Sequence, residues 1–187
     1  ARNTSARHST RALPRIGSPI GLVALDATDY FQASIYNALV GYYRLAFASL
    51  RGVVENLTIG LHRELEDDGR AFANWRSGEA DLKFGATADA IVRHPQIAEL
   101  EARLTKEAGD CLFRQKGRDG ADDAGGMVRW LFQGLSKYAH GAPGRSDGDL
   151  WQSNGPVFDA QAFREWSAIF LAVYAVSVLY VHVAGLR

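Results

Sequence analysis

Apolar residues spaced three or four positions apart across residues 29–64 are the sequence feature that most constrains the fold. The residues that share this spacing are Leu39, Tyr43, Ala46, Phe47, Leu50, Val53, Val54, Leu57 and Leu61. The spacing places them on one face of a long helix, and that face has to be buried against other elements. We predict a cap at Asp26 or Thr28. Gly41, Gly52 and Gly60 each weaken the helix by roughly 1 kcal/mol relative to alanine, and we predict a kink or break near Gly41.

The rest of the chain contains further helical segments and too little alternation of polar and apolar residues to build a sheet. We predict helices at residues 87–93, at 96–108 after Pro95, from a cap at Asp122 or Asp123 to about Ala139, and at 160–184. The length of 187 residues suits one core. The predicted fold is therefore an all-α, single-domain bundle of about five helices, two of them long.

Residues 168–186 carry no formal charge over nineteen positions, a length that could cross a bilayer. The segment also contains a serine, a histidine, two tyrosines and many alanines, and no basic cluster flanks it. A helical domain needs one central helix that is apolar all round, so we predict a buried core helix. Membrane anchoring by this helix is a third alternative for the protein, and it requires Phe170, Val173 and Leu179 to face outward.

Charge is balanced over the whole chain, with 21 basic and 21 acidic side chains, so composition indicates neither nucleic acid nor anionic membrane as a partner. The first 25 residues hold four arginines and no acid. We predict that residues 1–25 form a flexible basic arm, either solvated or contacting phosphate, and that residues 26–187 form the domain. Cys111 is the only cysteine, so no internal disulfide can form and a cytoplasmic location is expected.

Two polar stripes run along helices that are otherwise apolar. The first consists of Arg44, Arg51, Glu55 and His62, and the second of Arg129, Gln133, Ser136 and His140. Steps of three, four, seven or eleven residues return side chains to nearly the same helix face. Burial against a partner helix and a functional site both account for such stripes, and the sequence leaves the two open.

Common motifs of cofactor and metal sites are absent from the sequence. It contains no GxxxxGK[ST], no strand-linked GxGxxG and no GxSxG elbow between a strand and a helix, and its five histidines form no HExxH pair. We therefore predict neither a cofactor nor a metal. The remaining candidate for chemistry is the segment Leu135-Ser136-Lys137-Tyr138-Ala139-His140-Gly141, which closes the fourth helix.

His140 lies where the helix dipole favours an imidazolium, and Lys137 precedes it by one turn. A histidine beside a cation could give a proton to a leaving group and stabilise an anionic phosphorane. These are the requirements of metal-free RNA cleavage by the 2′-hydroxyl. A histidine that only caps a solvated helix end is the alternative.

A long first helix with an embedded arginine–glutamate pair, a short helical insert and a later helix ending in a polar-x-x-x-His element resembles the HEPN superfamily. The resemblance implies an α-helical homodimer of bacterial toxin–antitoxin or phage-defence systems, and in many members a metal-independent endoribonuclease. The family signature is an arginine four to six residues before a histidine, for which His140 supplies the histidine. The nearest upstream arginine, Arg129, is eleven residues away, about 16 Å along a helix.

On this resemblance, His140 is predicted to donate a proton to RNA, and Glu55 to orient Arg51. The residue that holds phosphate is predicted to be Arg51, Arg44 or Lys137. The residues predicted to bind substrate are Arg44, Arg129, Ser136 and Trp75. Trp75 and Phe84, beside Arg76 and Lys83, are candidates for stacking on bases or for contacting a partner protein, unless they pin their loop to the core.

The missing arginine spacing favours a second class of function. In that alternative the chain is a non-catalytic helical module that binds a protein partner or neutralises a toxin as an antitoxin does. The Arg51–Glu55 pair would then be a buried structural ion pair.

Overall fold

The structure is a computed structural model, and it describes residues 17–108, 112–116, 122–124, 126–139 and 156–185. Within these ranges the chain forms seven helices and one two-stranded antiparallel ribbon. The elements are α1 (Pro19–Leu39), α2 (Tyr43–Glu66), α3 (Gly69–Arg76), α4 (Phe84–Val92), α5 (Pro95–Ala108), β1 (Arg114–Lys116), β2 (Asp122–Ala124), α6 (Gly126–Ala139) and α7 (Ala160–Ala184). The all-α class is confirmed, and the described residues contain more helices than the five predicted.

The first helix begins earlier than the sequence analysis predicted. Its N-cap is Ser18, whose side-chain oxygen accepts a hydrogen bond from the Gly21 N–H, and Pro19 occupies the first turn. Ile20 and Val23 are fully buried, so α1 packs into the core from its first turn, ahead of the predicted boundary at residue 26. Of the predicted basic arm, residues 1–16 lie outside the described residues.

The predicted break near Gly41 is confirmed, because α1 ends at Leu39 and α2 begins at Tyr43. Gly41 has a φ of +85°, a conformation that side chains disfavour. A Cβ at this position would lie 2.5 Å from the carbonyl oxygen of Val157, so the chain also passes too close for any side chain. The sharp turn between α1 and α2 therefore needs glycine at this position.

Helix α2 is the centre of the bundle. Helices α1 and α6 pack on different flanks of α2, and α7 covers its apolar face. The core is built around fully buried Leu50, Leu57 and Leu61 of α2, with Ile20 of α1 and Tyr180 of α7. Eight of the nine residues predicted to share one apolar face, those from Tyr43 to Leu61, are buried on α2. The ninth, Leu39, was predicted wrongly, because it ends α1 and is 62% exposed.

Buried polar bridges join the three longest helices. The indole N–H of Trp166 on α7 donates to Oγ of Ser34 on α1 (2.9 Å), and this hydroxyl donates to the carbonyl of Ala46 on α2 (2.9 Å). Tyr180 and Thr58 place their hydroxyl oxygens 3.1 Å apart inside the core. Burial raises the pKa of Tyr180 far above its usual range, so its phenol stays neutral.

The segment before α6 differs from the prediction. Asp122 and Asp123 do not cap a helix, because they lie in β2, which pairs with β1 in antiparallel register. Helix α6 begins at Gly126 and ends at Ala139. Trp130 is 62% exposed, since the buried face of α6 is formed by Val128, Leu131 and Leu135.

Helix α7 has the bounds that the sequence predicted. Among the described residues it is the one helix long and apolar enough to cross a membrane by length and composition, and 33% of its most apolar window is buried. Val173 is fully buried, and Phe170 and Leu179 pack partly buried against the core. The outward orientation that membrane anchoring required of these three residues is therefore not observed. The opposite side of α7 is exposed, so the prediction of burial all round is wrong as well.

Candidate functional site

The two predicted polar stripes meet between α2 and α6. Arg51 of α2 donates from Nε to Oγ of Ser136 on α6 (3.1 Å) and from Nη1 to Oε2 of Glu55 (2.8 Å). Its guanidinium carbon lies 4.7 Å from the centroid of the Phe132 ring. Arg51 is thus fixed by a carboxylate, a hydroxyl and an aromatic face at once.

Phe132 is the member of this site that the sequence analysis missed. Its other face stacks on Phe84 of α4, with centroids 3.7 Å apart and planes at 7°. Arg51, Phe132 and Phe84 thus form one stack that joins α2, α6 and α4. The available signal was that Phe132 precedes Ser136 by four residues and therefore shares its side of the helix.

A second arginine binds the end of α6. Nε of Arg44 donates to the backbone carbonyl oxygen of Tyr138 (3.1 Å), one of the last carbonyls of this helix. The Tyr138 ring stacks on Phe47 of α2, with centroids 4.3 Å apart. Arg44 and Arg51 are seven residues apart, about 10 Å along α2. His140, the predicted proton donor, follows Tyr138 by two positions and lies outside the described residues.

The Arg51–Glu55 ion pair is partly buried, with side chains 22% and 27% exposed. Within the part of the chain that the structure describes, Nη2 of Arg51 has no hydrogen-bond partner. The guanidinium therefore keeps donors for a further acceptor while its plane is held in place. A positioned, partly dehydrated guanidinium suits a phosphate oxygen, because its donors form a rigid fork.

Three other predicted site residues lie apart from Arg51. Arg129 approaches Asp89 of α4, with 3.8 Å from Nη2 to Oδ1. Lys137 is exposed and lines an apolar groove between α6 and α7 together with Trp130. Trp75 is half-buried on α3, its ring 5.7 Å from that of Phe72, and packs against the core.

The aromatic residues flanking the predicted stacking loop are buried. Phe72 and Phe84 both belong to the core cluster. Exposure of Phe84 for stacking on bases, which the sequence analysis considered, is therefore not observed. Phe72 and Phe84 instead anchor this segment to the core, which is the alternative that the sequence analysis gave.

His62, the fourth residue of the first stripe, has different neighbours from Arg44 and Arg51. Its Nε2 lies 3.0 Å from Oε1 of Glu66, and the residue lines a cleft of about 310 Å³ with Arg93 and His94. Burial lowers the pKa of His62 below 6.5, while Glu66 opposes this shift and Arg63 adds to it. His62 therefore does not join Arg44 and Arg51 in one site.

The lowered pKa of His62 predicts a pH dependence of stability. Below pH 6.5 the unfolded chain binds a proton more readily than the folded one, so the free energy of unfolding falls as the pH drops through the range between the folded pKa and 6.5. Urea unfolding on both sides of pH 6.5 measures this loss. The variant His62→Gln is expected to show a shallower loss on acidification than the wild type. If the wild type and His62→Gln lost unfolding free energy equally on acidification, His62 would not be the group responsible for the loss.

Among the described residues, no three histidine, cysteine or acidic side chains lie close enough together to hold a metal ion. Fold and site together define an all-α protein whose central helix presents a fixed, partly buried arginine to the last turns of a neighbouring helix. The chain matches no protein-family model, no curated protein and no solved structure.

Proposed function

We propose that this protein is an HEPN-like RNA-binding endoribonuclease of a bacterial defence or toxin–antitoxin system, with its site between α2 and the end of α6. The observation that carries the proposal is the fixed guanidinium of Arg51. Its hydrogen bond to Ser136 joins the two polar stripes, as a shared site requires. Arg44 adds a second positive charge at the end of α6, where it binds the carbonyl of Tyr138, two positions before His140 in the sequence.

The proposed chemistry is attack of a 2′-hydroxyl on the adjacent phosphorus, with cleavage of the bond to the 5′ oxygen. The 2′-hydroxyl loses its proton to solvent, and His140 as imidazolium gives a proton to the departing 5′ oxygen. Arg51 and Arg44 stabilise the additional negative charge on the phosphorane oxygens. Glu55 positions Arg51 through their ion pair, and the products carry a 2′,3′-cyclic phosphate and a 5′-hydroxyl.

Incubation of the purified protein with end-labelled RNA in excess EDTA tests this proposal. Wild type is expected to cut the RNA to products that end in a 2′,3′-cyclic phosphate, and a 2′-deoxy substitution at the cut position should abolish cleavage there. His140→Ala is expected to lose cleavage by about 100-fold or more, since general acid catalysis contributes that much.

His182→Ala is the matched control, because it removes a histidine in the last turn of α7, which is not part of the α2–α6 site. It should cut like the wild type. Cleavage that persists in His140→Ala, or that appears only with added metal, would overturn the proposed mechanism.

A non-catalytic binding module is the second candidate function. The observation that favours it is that Arg51 already binds Glu55, Ser136 and Phe132 within the chain, as a structural ion pair does. Under this alternative neither wild type nor His140→Ala cuts RNA, and the protein instead binds a partner protein or antitoxin.

A further inference from the structure

A small apolar groove lies between α6 and α7, and we refer to it as the α6–α7 groove. Its lining includes the buried Leu131 and Leu135 of α6 and Ile169 of α7, and Trp130 and Lys137 are exposed members. Its volume of about 110 Å³ is well below the roughly 300–1,000 Å³ of pockets for drug-sized molecules. An apolar cavity of about 150 Å³ holds benzene, so the groove is of the size that takes one flat ring.

Three residues of α6 shape the open side of this groove. Trp130, Gly134 and Lys137 follow one another at steps of four and three residues, so they lie on one side of the helix. The indole of Trp130 is 62% exposed. An exposed aromatic ring and an ammonium group thus flank a residue that has no side chain.

Packing does not require glycine at position 134. A Cβ there would meet no atom within 4 Å, whereas at Gly60 it would collide with Val23. Glycine inside a helix is also less stable than alanine. The bare backbone at Gly134 therefore leaves free space in the groove, and no neighbouring side chain uses that space.

The charge around the groove suits an anionic ligand. Helix α6 carries Arg129 and Lys137 and no acidic residue, and no acidic side chain is among the described residues that line the groove. Lys137 forms no ion pair with any residue that the structure describes. Its ammonium group is therefore available to a phosphate at the end of the groove.

We propose that the α6–α7 groove binds an unpaired base of single-stranded RNA. The base stacks on Trp130 over Gly134, and Lys137 contacts the phosphate of the same nucleotide. A base inside a duplex is stacked between its neighbours and cannot reach the indole, so the groove selects single strands.

The position of the groove connects it with the α2–α6 site. Tyr138 lines the groove, and its backbone carbonyl accepts the hydrogen bond from Nε of Arg44. The stacked base therefore belongs to a nucleotide beside the bond that is cut. This inference rests on the proposed RNA-binding function and adds the class of RNA that the site takes.

Fluorescence anisotropy of a labelled, short single-stranded RNA tests the stacking, and 2′-O-methylation of every nucleotide prevents cleavage. Trp130→Leu is expected to raise Kd by about 5- to 150-fold, the effect of losing one stacked base. Trp130→Phe keeps a flat ring and should restore most of the affinity. Phe158→Leu replaces an equally exposed aromatic residue that does not line the groove, and it should bind like the wild type.

Two further variants test the free space and the phosphate contact. Gly134→Leu places a side chain in the groove without removing the indole, so it should raise Kd by a similar factor. Lys137→Ala should lower the slope of log Kd against log salt concentration by about 0.7, as the loss of one phosphate contact on a single strand does. Lys106→Ala, at an exposed position of α5, is the matched control and should leave this slope unchanged.

The outcomes separate the groove from the proposed endoribonuclease. Trp130→Leu that binds RNA as tightly as Phe158→Leu would overturn the groove as a base site, whether or not the wild type cuts RNA. Binding that depends on Trp130 without any cleavage would support the groove and overturn the proposed catalysis. A wild type that binds no single strand would overturn the groove proposal and leave an aromatic side chain of a partner protein as its occupant.

Discussion

Replacement of Gly60 by alanine is expected to destabilise the fold by about 2–3 kcal/mol, although alanine is the better helix former by about 1 kcal/mol. A Cβ at position 60 would lie 2.3 Å from Cγ2 of Val23, a fully buried side chain of α1. Neither helix can yield without opening the contact between α1 and α2. Urea unfolding monitored by circular dichroism measures the loss.

Gly134→Ala is the matched control for this substitution. Gly134 also lies inside a helix, but a Cβ there would meet no atom within 4 Å. Alanine at position 134 is therefore expected to stabilise the protein by about 0.5–1 kcal/mol. In a Val23→Ala background, Gly60→Ala should cost much less, because the methyl group that it strikes is gone. Equal effects at positions 60 and 134 would contradict the packing of α1 on α2.

Replacement of Arg51 is expected to have the largest effect on RNA cleavage after that of His140. Arg51→Ala should lower the rate by about 100-fold or more, which is the usual contribution of one positioned donor to an anionic transition state. Arg51→Lys should restore little of it, because an ammonium group lacks the rigid fork of donors. Single-turnover cleavage of a defined RNA in EDTA, at a temperature where each variant is folded, measures both losses.

Arg103→Ala is the control for general loss of positive charge, since Arg103 is exposed on α5, away from α2 and α6. It should cut RNA at the wild-type rate. Under the binding-module alternative, Arg51→Ala changes stability alone, by about 1–2 kcal/mol for the lost hydrogen bond and ring contact. An Arg51→Ala variant that is destabilised yet cuts RNA normally would assign Arg51 a purely structural role.

Local patterns in the sequence predicted the regular parts of the fold well. The bounds of α7 follow from its apolar run, and α5 begins at Pro95, within one residue of the prediction. The start of α1 was missed although its signal is present, since serine followed by proline is a common helix start. The β1–β2 ribbon was missed because its strands span three residues each, too few for a detectable alternation.

Contacts between distant segments could not be predicted in the same way. The Arg51–Glu55 pair follows from a step of four residues, whereas the bond from Arg51 to Ser136 spans 85 positions and depends on how α6 is rotated about its axis. The same rotation exposes Trp130 and turns Phe132 towards Arg51. Likewise, Gly60 was interpreted as a weak point of a helix, and only the position of Val23 shows that a side chain there would collide.

The late position of α7 in the chain has a consequence for biosynthesis. This helix completes the core through partners made much earlier, since Trp166 binds Ser34 across 132 positions and Tyr180 binds Thr58 across 122. Until the ribosome has translated α7, the apolar faces of the α1–α2 hairpin that this helix covers remain exposed to solvent. Chains in this state are prone to aggregate, so we expect the nascent protein to depend on chaperones until α7 emerges.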